Sequence, residues 1–320
     1  MNEARFVGID TSNYTTSGAV CDGEGRVLAN IKLPLPVAEG GRGLRQSDAV
    51  FSHIKNLPEV LAQVRAALDG HRATAVGVSA TPRNAEGSYM PCFLSGVAAA
   101  SALAVGAGAP LYRFSHQDGH IMAAGYSSGG LDVLLSAPFC AFHVSGGTTE
   151  IVRVVPRGNA FDVTILGGTR DLNAGQAIDR AGVAMGLKFP CGPALEQAAL
   201  TYTGKLPRPR ICVDGLECNL SGLENLAASM YGGEDDLPRT AAFVLNFVGQ
   251  TLRALCRNVR AAYPGEPVLF AGGVMSNSII KNIIGSEEGI YYSEPAFSAD
   301  NAAGVSLLCR RAWMAEVERG

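Results

Sequence analysis

No Cys-x-x-Cys pair occurs among the eight cysteines, at positions 21, 92, 140, 191, 212, 218, 256 and 309. Their spacing does not suggest a zinc ribbon, and a chain of 320 residues can bury a large core without a disulfide framework. Most are expected to be buried thiols in a reducing cytosol. Neither sign of charge is in excess: 26 Lys and Arg against 29 Asp and Glu give a net charge of -3, so there is no general electrostatic footprint for nucleic acid. A nucleic-acid partner would need a local basic patch or a helper subunit. Charged residues are only 17% of the chain and hydrophobic ones 47%, which excludes intrinsic disorder. Only Phe6 to Ile9 are apolar before Asp10, so no signal peptide is expected. The one long uncharged run, Gly87 to Tyr112, is mostly Ala, Gly and Ser with Pro91 and Pro110 inside it. It lacks the Leu and Ile density of a membrane span and reads as a tightly packed internal helix.

What the chain has in abundance is glycine, 39 residues, gathered in short loops after apolar runs, where backbone can approach a ligand. Strands are expected at Arg5–Ile9, Thr16–Cys21 and Arg26–Lys32, then a helix over Ala49–Leu68 from the spacing of Ile54, Leu57, Val60, Leu61, Val64 and Leu68. A strand at Ala73–Ser79, a helix at Phe93–Ala107 and a strand at Leu111–Phe114 follow. The same order recurs with Phe139–Val144, Thr149–Val155 and Asp162–Leu166. Helices are then expected at Ala174–Met185, Pro193–Tyr202 and Arg239–Tyr263, a strand at Pro267–Phe270 and a last helix at Asn301–Val317. A β-β-β-α-β-α unit used twice implies an α/β protein of two related lobes with a cleft between them. No Pro- or Ser-rich linker separates the halves.

Three segments could carry chemistry. Ser115 and Asp118 resemble a capping box, which starts a helix and puts His116 and His120, at i and i+4, on one face where both can reach a metal ion. Two surface histidines on a first turn are the competing reading. Gln117 stands where a His-Glu-x-x-His protease has its general base, so that chemistry is not expected. His143-Val-Ser-Gly-Gly-Thr-Thr-Glu150 and Ala271-Gly-Gly-Val-Met-Ser-Asn277 are Gly-rich turns after apolar strands, suited to phosphate oxygens or simply to tight packing. Asp10-Thr11-Ser12 is their counterpart in the first half. Asp300 by itself reads as a helix cap, Asp179 as a solvated helix carboxylate, and Lys205 to Arg210 as a solvated basic loop.

In order along the chain, these segments resemble the tRNA adenosine threonylcarbamoyltransferase family, formerly described as O-sialoglycoprotein endopeptidases. The resemblance runs from about Phe6 to about Ala303. It is carried by Gly8-Ile-Asp-Thr-Ser, His116-x-x-Gly-His120, Val144-Ser-Gly-Gly-Thr, Leu166-Gly-Gly-Thr-Arg-Asp-x-x-Ala-Gly-Gln-Ala-Ile-Asp179, Cys191-Gly-Pro, Leu220-Ser-Gly-Leu, Gly272-Gly-Val-Met-Ser-Asn277 and Asp300-Asn-Ala-Ala. It implies the actin-like ATPase (ASKHA) fold, two ribonuclease-H-like lobes around a nucleotide cleft. The expected division is 1–114 for the first lobe, with 301–320 packing back on it, and 115–300 for the second, which would hold the metal and nucleotide site.

The resemblance further implies His116, His120 and Asp300 as ligands of one divalent metal, iron or zinc. It places His143, Val144, Ser145, Gly146, Gly147, Asp179, Gly192, Gly272, Gly273 and Asn277 at an adenine-nucleotide site for threonylcarbamoyl-adenylate or ATP. The reaction implied is transfer of the threonylcarbamoyl group to the exocyclic amine of the adenosine beside the tRNA anticodon. The partners implied are tRNA and the subunits of a threonylcarbamoylation complex, including an actin-like paralogue, in the cytoplasm and with no membrane. Several family carboxylates are replaced: Tyr14 and Thr15 follow the Thr-Ser turn, Gly168 and Gln176 stand for glutamates and Leu172 for an aspartate. Ser115 replaces a histidine, and Thr148 the histidine of the family's Gly-Gly-His-Thr. These losses point to a divergent paralogue, and a non-catalytic nucleotide-binding partner or a carbamoyl transferase with another acceptor stand as alternatives.

Overall fold

The computed structural model describes residues 3–12, 14–36, 44–298 and 301–319. In chain order the first elements are β1 (Arg5–Thr11), β2 (Thr15–Asp22), β3 (Val27–Pro34), α1 (Gln46–Ala67), β4 (Ala75–Thr81), α2 (Phe93–Ala107), β5 (Leu111–Ser115) and α3 (His116–Ser127). They continue with α4 (Leu131–Ser136), β6 (Phe139–Val144), β7 (Thr149–Arg157), β8 (Ala160–Thr169), α5 (Ala174–Ala184) and α6 (Gly192–Leu200). The chain ends through β9 (Cys212–Asp214), β10 (Glu217–Asn219), α7 (Gly222–Met230), α8 (Leu237–Ala262), β11 (Val268–Ala271), α9 (Ser278–Ile284), β12 (Ile290–Tyr292), α10 (Pro295–Ser298) and α11 (Ala303–Val317).

Two compact units result. The first joins 1–127, 156–162 and 297–320, so it includes α3, beyond the boundary expected after residue 114. Its sheet has the order β3-β2-β1-β4-β5, with β1 antiparallel to β2 and parallel to β4. Alternation along β1 covers both faces of the sheet. Val7 and Ile9 meet the apolar side of α1 and α2, while Phe6 packs on Trp313 of α11 and Gly8 faces Ala302 and Ser306. A strand buried on both faces must be nearly all apolar, and Phe6, Val7 and Ile9 are fully buried.

The second unit joins 128–155 and 163–296. Its sheet order is β12-β11-β6-β7-β8-β10-β9. Here β6 is antiparallel to β7 and parallel to β11, so the pairing of the first sheet is repeated with two short strands added at one edge. The amphipathic α8 supplies much of this core through Phe243, Leu245, Phe247, Leu252 and Leu255.

The segment Gly87–Tyr112 needs correction. It holds α2, a turn and the start of β5, and α2 is not internal: Ala100 and Ala104 are buried while Leu94 and Val105 are exposed. Its small residues let one face approach the sheet closely, and the opposite face lies in solvent. Among the described residues no helix is long and apolar enough to cross a membrane. All eight cysteines are free and only Cys212 is exposed.

Candidate functional site

In the first unit the histidine pair sits where the sequence puts it. Asp118 N donates to Ser115 Oγ at 3.1 Å and Ser115 N to Asp118 Oδ2 at 3.3 Å, a reciprocal cap that starts α3 at His116. The i, i+4 spacing brings His116 Nε2 and His120 Nε2 to 2.9 Å. Behind them, His116 Nδ1 lies 2.8 Å from Asp10 Oδ2, at the end of β1. Asp10 is fully buried and also accepts from Ser12 N at 2.9 Å and from Ser79 Oγ.

A carboxylate on Nδ1 favours the proton there and leaves the His116 Nε2 lone pair on the side of His120, the tautomer that metal-binding histidines use. Two converging imidazole nitrogens suit zinc or iron, so the donor set fits the implied metal. Among the described residues no three His, Cys, Asp or Glu side chains form a group able to hold a metal ion. Asp300 lies outside the described residues. At the start of α11, Asn301 Oδ1 accepts from Ala303 N at 3.0 Å.

Asp10 was visible in the sequence only as part of a turn. Its pairing with His116, 106 positions away, has no local signal. Beside this cluster, burial and then the Asp10 charge push the Cys92 thiol up to about 11, which disfavours the thiolate.

His53, on α1, is fully buried. Its Nδ1 is 2.8 Å from Thr16 Oγ1, which also accepts from Asn56 Nδ2 at 3.3 Å. Burial lowers its pKa from 6.5, against the Ser12 backbone and the Asp10 charge, which favour the protonated ring. The unfolded ring protonates first as pH falls. Stability present above about pH 6.5 is therefore lost below it, by up to about 1.4 kcal/mol per pH unit. Urea unfolding at pH 7.5 and 5.5 should show this loss, and His53→Gln should shrink the difference between the two pH values.

The second unit gathers the Gly-rich segments. His143 and Val144 end β6, next to Ala271 of β11. Gly272 must be glycine: its φ is +106°, and a Cβ there would lie 2.3 Å from Val144 O. The turn after β6 is held on α5 by Gly175 N donating to Ser145 O at 3.1 Å, and Ala174 N donates to Thr149 Oγ1 at 2.8 Å. Ser145 Oγ accepts from Gly147 N and Thr148 N at 3.2 and 3.0 Å, which closes the turn on itself.

Asp179, one helical turn after Gly175, is half-buried and accepts from Cys191 N at 2.7 Å. It thus fixes the segment that enters α6 at Gly192, and lines a cavity of about 510 Å³ with Arg180 and Phe189. From α6, Glu196 accepts from Ser278 N at 2.6 Å. Beside it, Asn277 Oδ1 caps α9 by accepting from Ile280 N at 3.0 Å. A 3₁₀ turn, Gly273–Ser276, separates β11 from α9, within the Gly-rich segment between them. Every expected nucleotide-site residue is therefore in this unit, on segments tied to one another by hydrogen bonds.

Asp171 was not singled out. It accepts from Leu220 N at 2.8 Å, Ser221 Oγ at 2.6 Å and Asn219 Nδ2 at 3.1 Å. Burial opposes its ionisation, but these bonds together hold its carboxyl well below the usual range. Two of the recognised segments, 166–179 and 220–223, meet here, and the role is to anchor the start of α7.

Comparison with solved structures defines the class. The chain superposes on full-length HypF in its phosphate- and nucleotide-bound form with a TM-score of 0.57 at 12% identity, covering 99% of this chain and 56% of that one. It superposes on the activator of the 2-hydroxyisocaproyl-CoA dehydratase from Clostridium difficile, with bound ADPNP, with a TM-score of 0.52 at 12% identity, covering 98% and 97%. With the repeated sheet pairing, these likenesses show the actin-like ATPase fold. Sequence comparison narrows this. The family model described as tRNA N6-adenosine threonylcarbamoyltransferase matches residues 27–307. A curated protein of that name from Streptococcus suis (strain 05ZYH33) is 30% identical over 301 residues, 90% of this chain and 85% of the relative. The chain belongs to the tRNA N6-adenosine threonylcarbamoyltransferase family.

Proposed function

We propose that the protein transfers a threonylcarbamoyl group from threonylcarbamoyl-adenylate to the exocyclic amine of the adenosine beside the tRNA anticodon, in the cytoplasm and with partner subunits. The observation that carries this is the His116–His120 pair backed by buried Asp10, in a chain of this family. The amine nitrogen bonds to the carbamoyl carbon, AMP leaves with the electrons of the broken C–O bond, and the amine gives up a proton. Such a transfer needs positioning and stabilisation of the leaving group more than a protein nucleophile. Metal held by His116, His120 and Asp300 would polarise the carbamoyl or phosphate oxygens. Asp10 keeps the His116 proton on Nδ1. The Gly146 and Gly273 amides would hold adenylate oxygens, with Asp179 and Gly192 bordering the same site. With a net charge of -3, the protein is poorly equipped to grip tRNA alone, which is why partner subunits, an actin-like paralogue among them, belong to the reading.

The test supplies threonylcarbamoyl-adenylate, unmodified tRNA and the cognate partners, and detects the modified nucleoside by mass. Product that vanishes with Asp300→Ala supports the proposal. Calorimetry with ATP and AMP tests the second unit. Gly146→Val should weaken binding at least tenfold with little change in melting temperature, because a Cβ at Gly146 meets nothing within 4 Å.

A second reading, a non-catalytic nucleotide-binding paralogue, is favoured by Gly168. Its φ is +147°, and a Cβ would lie 2.2 Å from Thr149 O, so a glutamate cannot be restored there without rebuilding the backbone. Nucleotide binding without product, with all partners present, would establish that reading.

A further inference from the structure

Asp118 stands between the two histidines on the first turn of α3, and at 1% exposure it is fully buried. At 100° per residue it is about 200° round the helix from His116 and from His120, so it grips the helix from the side opposite the pair. All its carboxylate contacts are donors. Oδ1 accepts from Asn84 Nδ2 at 2.9 Å and from Phe161 N at 3.1 Å. Oδ2 accepts from the same Asn84 nitrogen at 2.7 Å and from Ser115 N at 3.3 Å. Asn84 Nδ2 is also 3.4 Å from Phe161 O, which closes a ring of three residues. The segment carrying Asn84 is tied to the helix a second time, by Gln117 N donating to Pro82 O at 3.1 Å. One carboxylate thus joins the chain after β4, the end of β5 and the start of β8 to the helix that carries the histidines. None of these partners is near it in sequence except Ser115.

We propose that Asp118 is a positioning residue: by this three-way clamp it sets the rotation of α3 that brings His116 Nδ1 onto Asp10 and so aims the histidine pair. The proposal rests on the metal reading above, but assigns the aim of the pair to a group that touches neither metal nor substrate. A buried acceptor ringed by donors cannot be replaced by an amide without turning an N–H towards another N–H. Asp118→Asn therefore frees the clamp while leaving shape almost unchanged. Asn84 is exposed and borders a cavity of about 520 Å³, so its side chain can be altered with little effect on the core. In Asn84→Asp/Asp118→Asn the amide and the carboxylate exchange places and their bond is restored.

The experiment is titration of the full-length apo-protein with Zn²⁺ by calorimetry and with Co²⁺ by absorption, together with melting temperatures. Asp118→Asn should bind Zn²⁺ about 10–100-fold more weakly, the range for loss of a group that orients a metal ligand, and its Co²⁺ bands should shift. The exchanged double variant should recover most of the affinity and the wild-type spectrum. If Asp118→Asn does not fold, Asn84→Ala carries the test, with a smaller loss of affinity in the same direction.

Wild-type affinity and spectrum in Asp118→Asn would overturn the proposal and leave the metal reading intact. So would an exchange that restores the melting temperature but not the affinity, since the clamp would then serve stability alone. Wild-type protein that takes up neither ion overturns the metal reading and the proposal together.

Discussion

Protein carrying His120→Ala should purify with almost no bound zinc or iron, while the wild type should carry about one ion per chain, the complement of the proposed three-ligand site. The expectation follows from the convergence of His116 Nε2 and His120 Nε2 at 2.9 Å. Removing one of three ligands from a tight site costs far more affinity than disturbing a group behind them. Asp10→Asn should therefore fall in between: it keeps an oxygen for the His116 Nδ1 proton but loses the charge that strengthens the ligand, a change of about 10–100-fold. Elemental analysis of the purified variants, with His71→Ala as a control outside the cluster, decides it. Wild-type metal content in His120→Ala would remove the pair from the site.

Gly304→Ala should be among the most destabilising single-methyl additions in the protein. A Cβ at Gly304 would lie 1.8 Å from Gly119 O and 2.9 Å from Ala123 N, so α11 and α3 touch backbone to backbone. Neither side has a flexible side chain to yield. Helices forced apart here lose packing along their length, an overpacking cost of about 3 kcal/mol. Gly106→Ala is the matched control: it lies in α2, where an added Cβ meets nothing within 4 Å, and should be neutral or stabilise by up to about 1 kcal/mol. Urea unfolding of the two variants measures the contrast. Because Gly119 adjoins His120, Gly304→Ala should also reduce metal uptake in the protein that still folds.

Elements with a strong repeat were legible in the sequence. Phe93–Ala107 and Phe139–Val144 match observed elements residue for residue, and the periodic α1 and α8 differ from expectation only at their ends. Short elements were not: α4, α7, β9 and β10 are too brief for a period to emerge. The helical spacing and cap of the histidine pair are local and could be read directly. What could not be read is what holds the site from a distance: Asp10 on His116, Asn84 and Phe161 on Asp118, Asp171 on Leu220. Each of these joins residues at least 34 positions apart through one or two hydrogen bonds, and nothing in the sequence between them records the pairing. The exposed face of α2 was missed for a different reason: Ala and Gly fit a buried helix and a closely docked one equally well.

The position of α11 in the chain has a consequence for synthesis. This helix covers the face of β1 that carries Phe6 and Gly8, yet it follows β1 by roughly 290 residues. At about 5–20 residues per second, a ribosome needs roughly 15–60 s to make the intervening chain. Throughout that time α1 and α2 can cover one face of the first sheet, while on the other the part of β1 that α11 covers waits in water. Premature termination anywhere before Ala303 should therefore yield a chain that chaperones retain and proteases remove, even when every residue of the first five strands and of the histidine helix has been made.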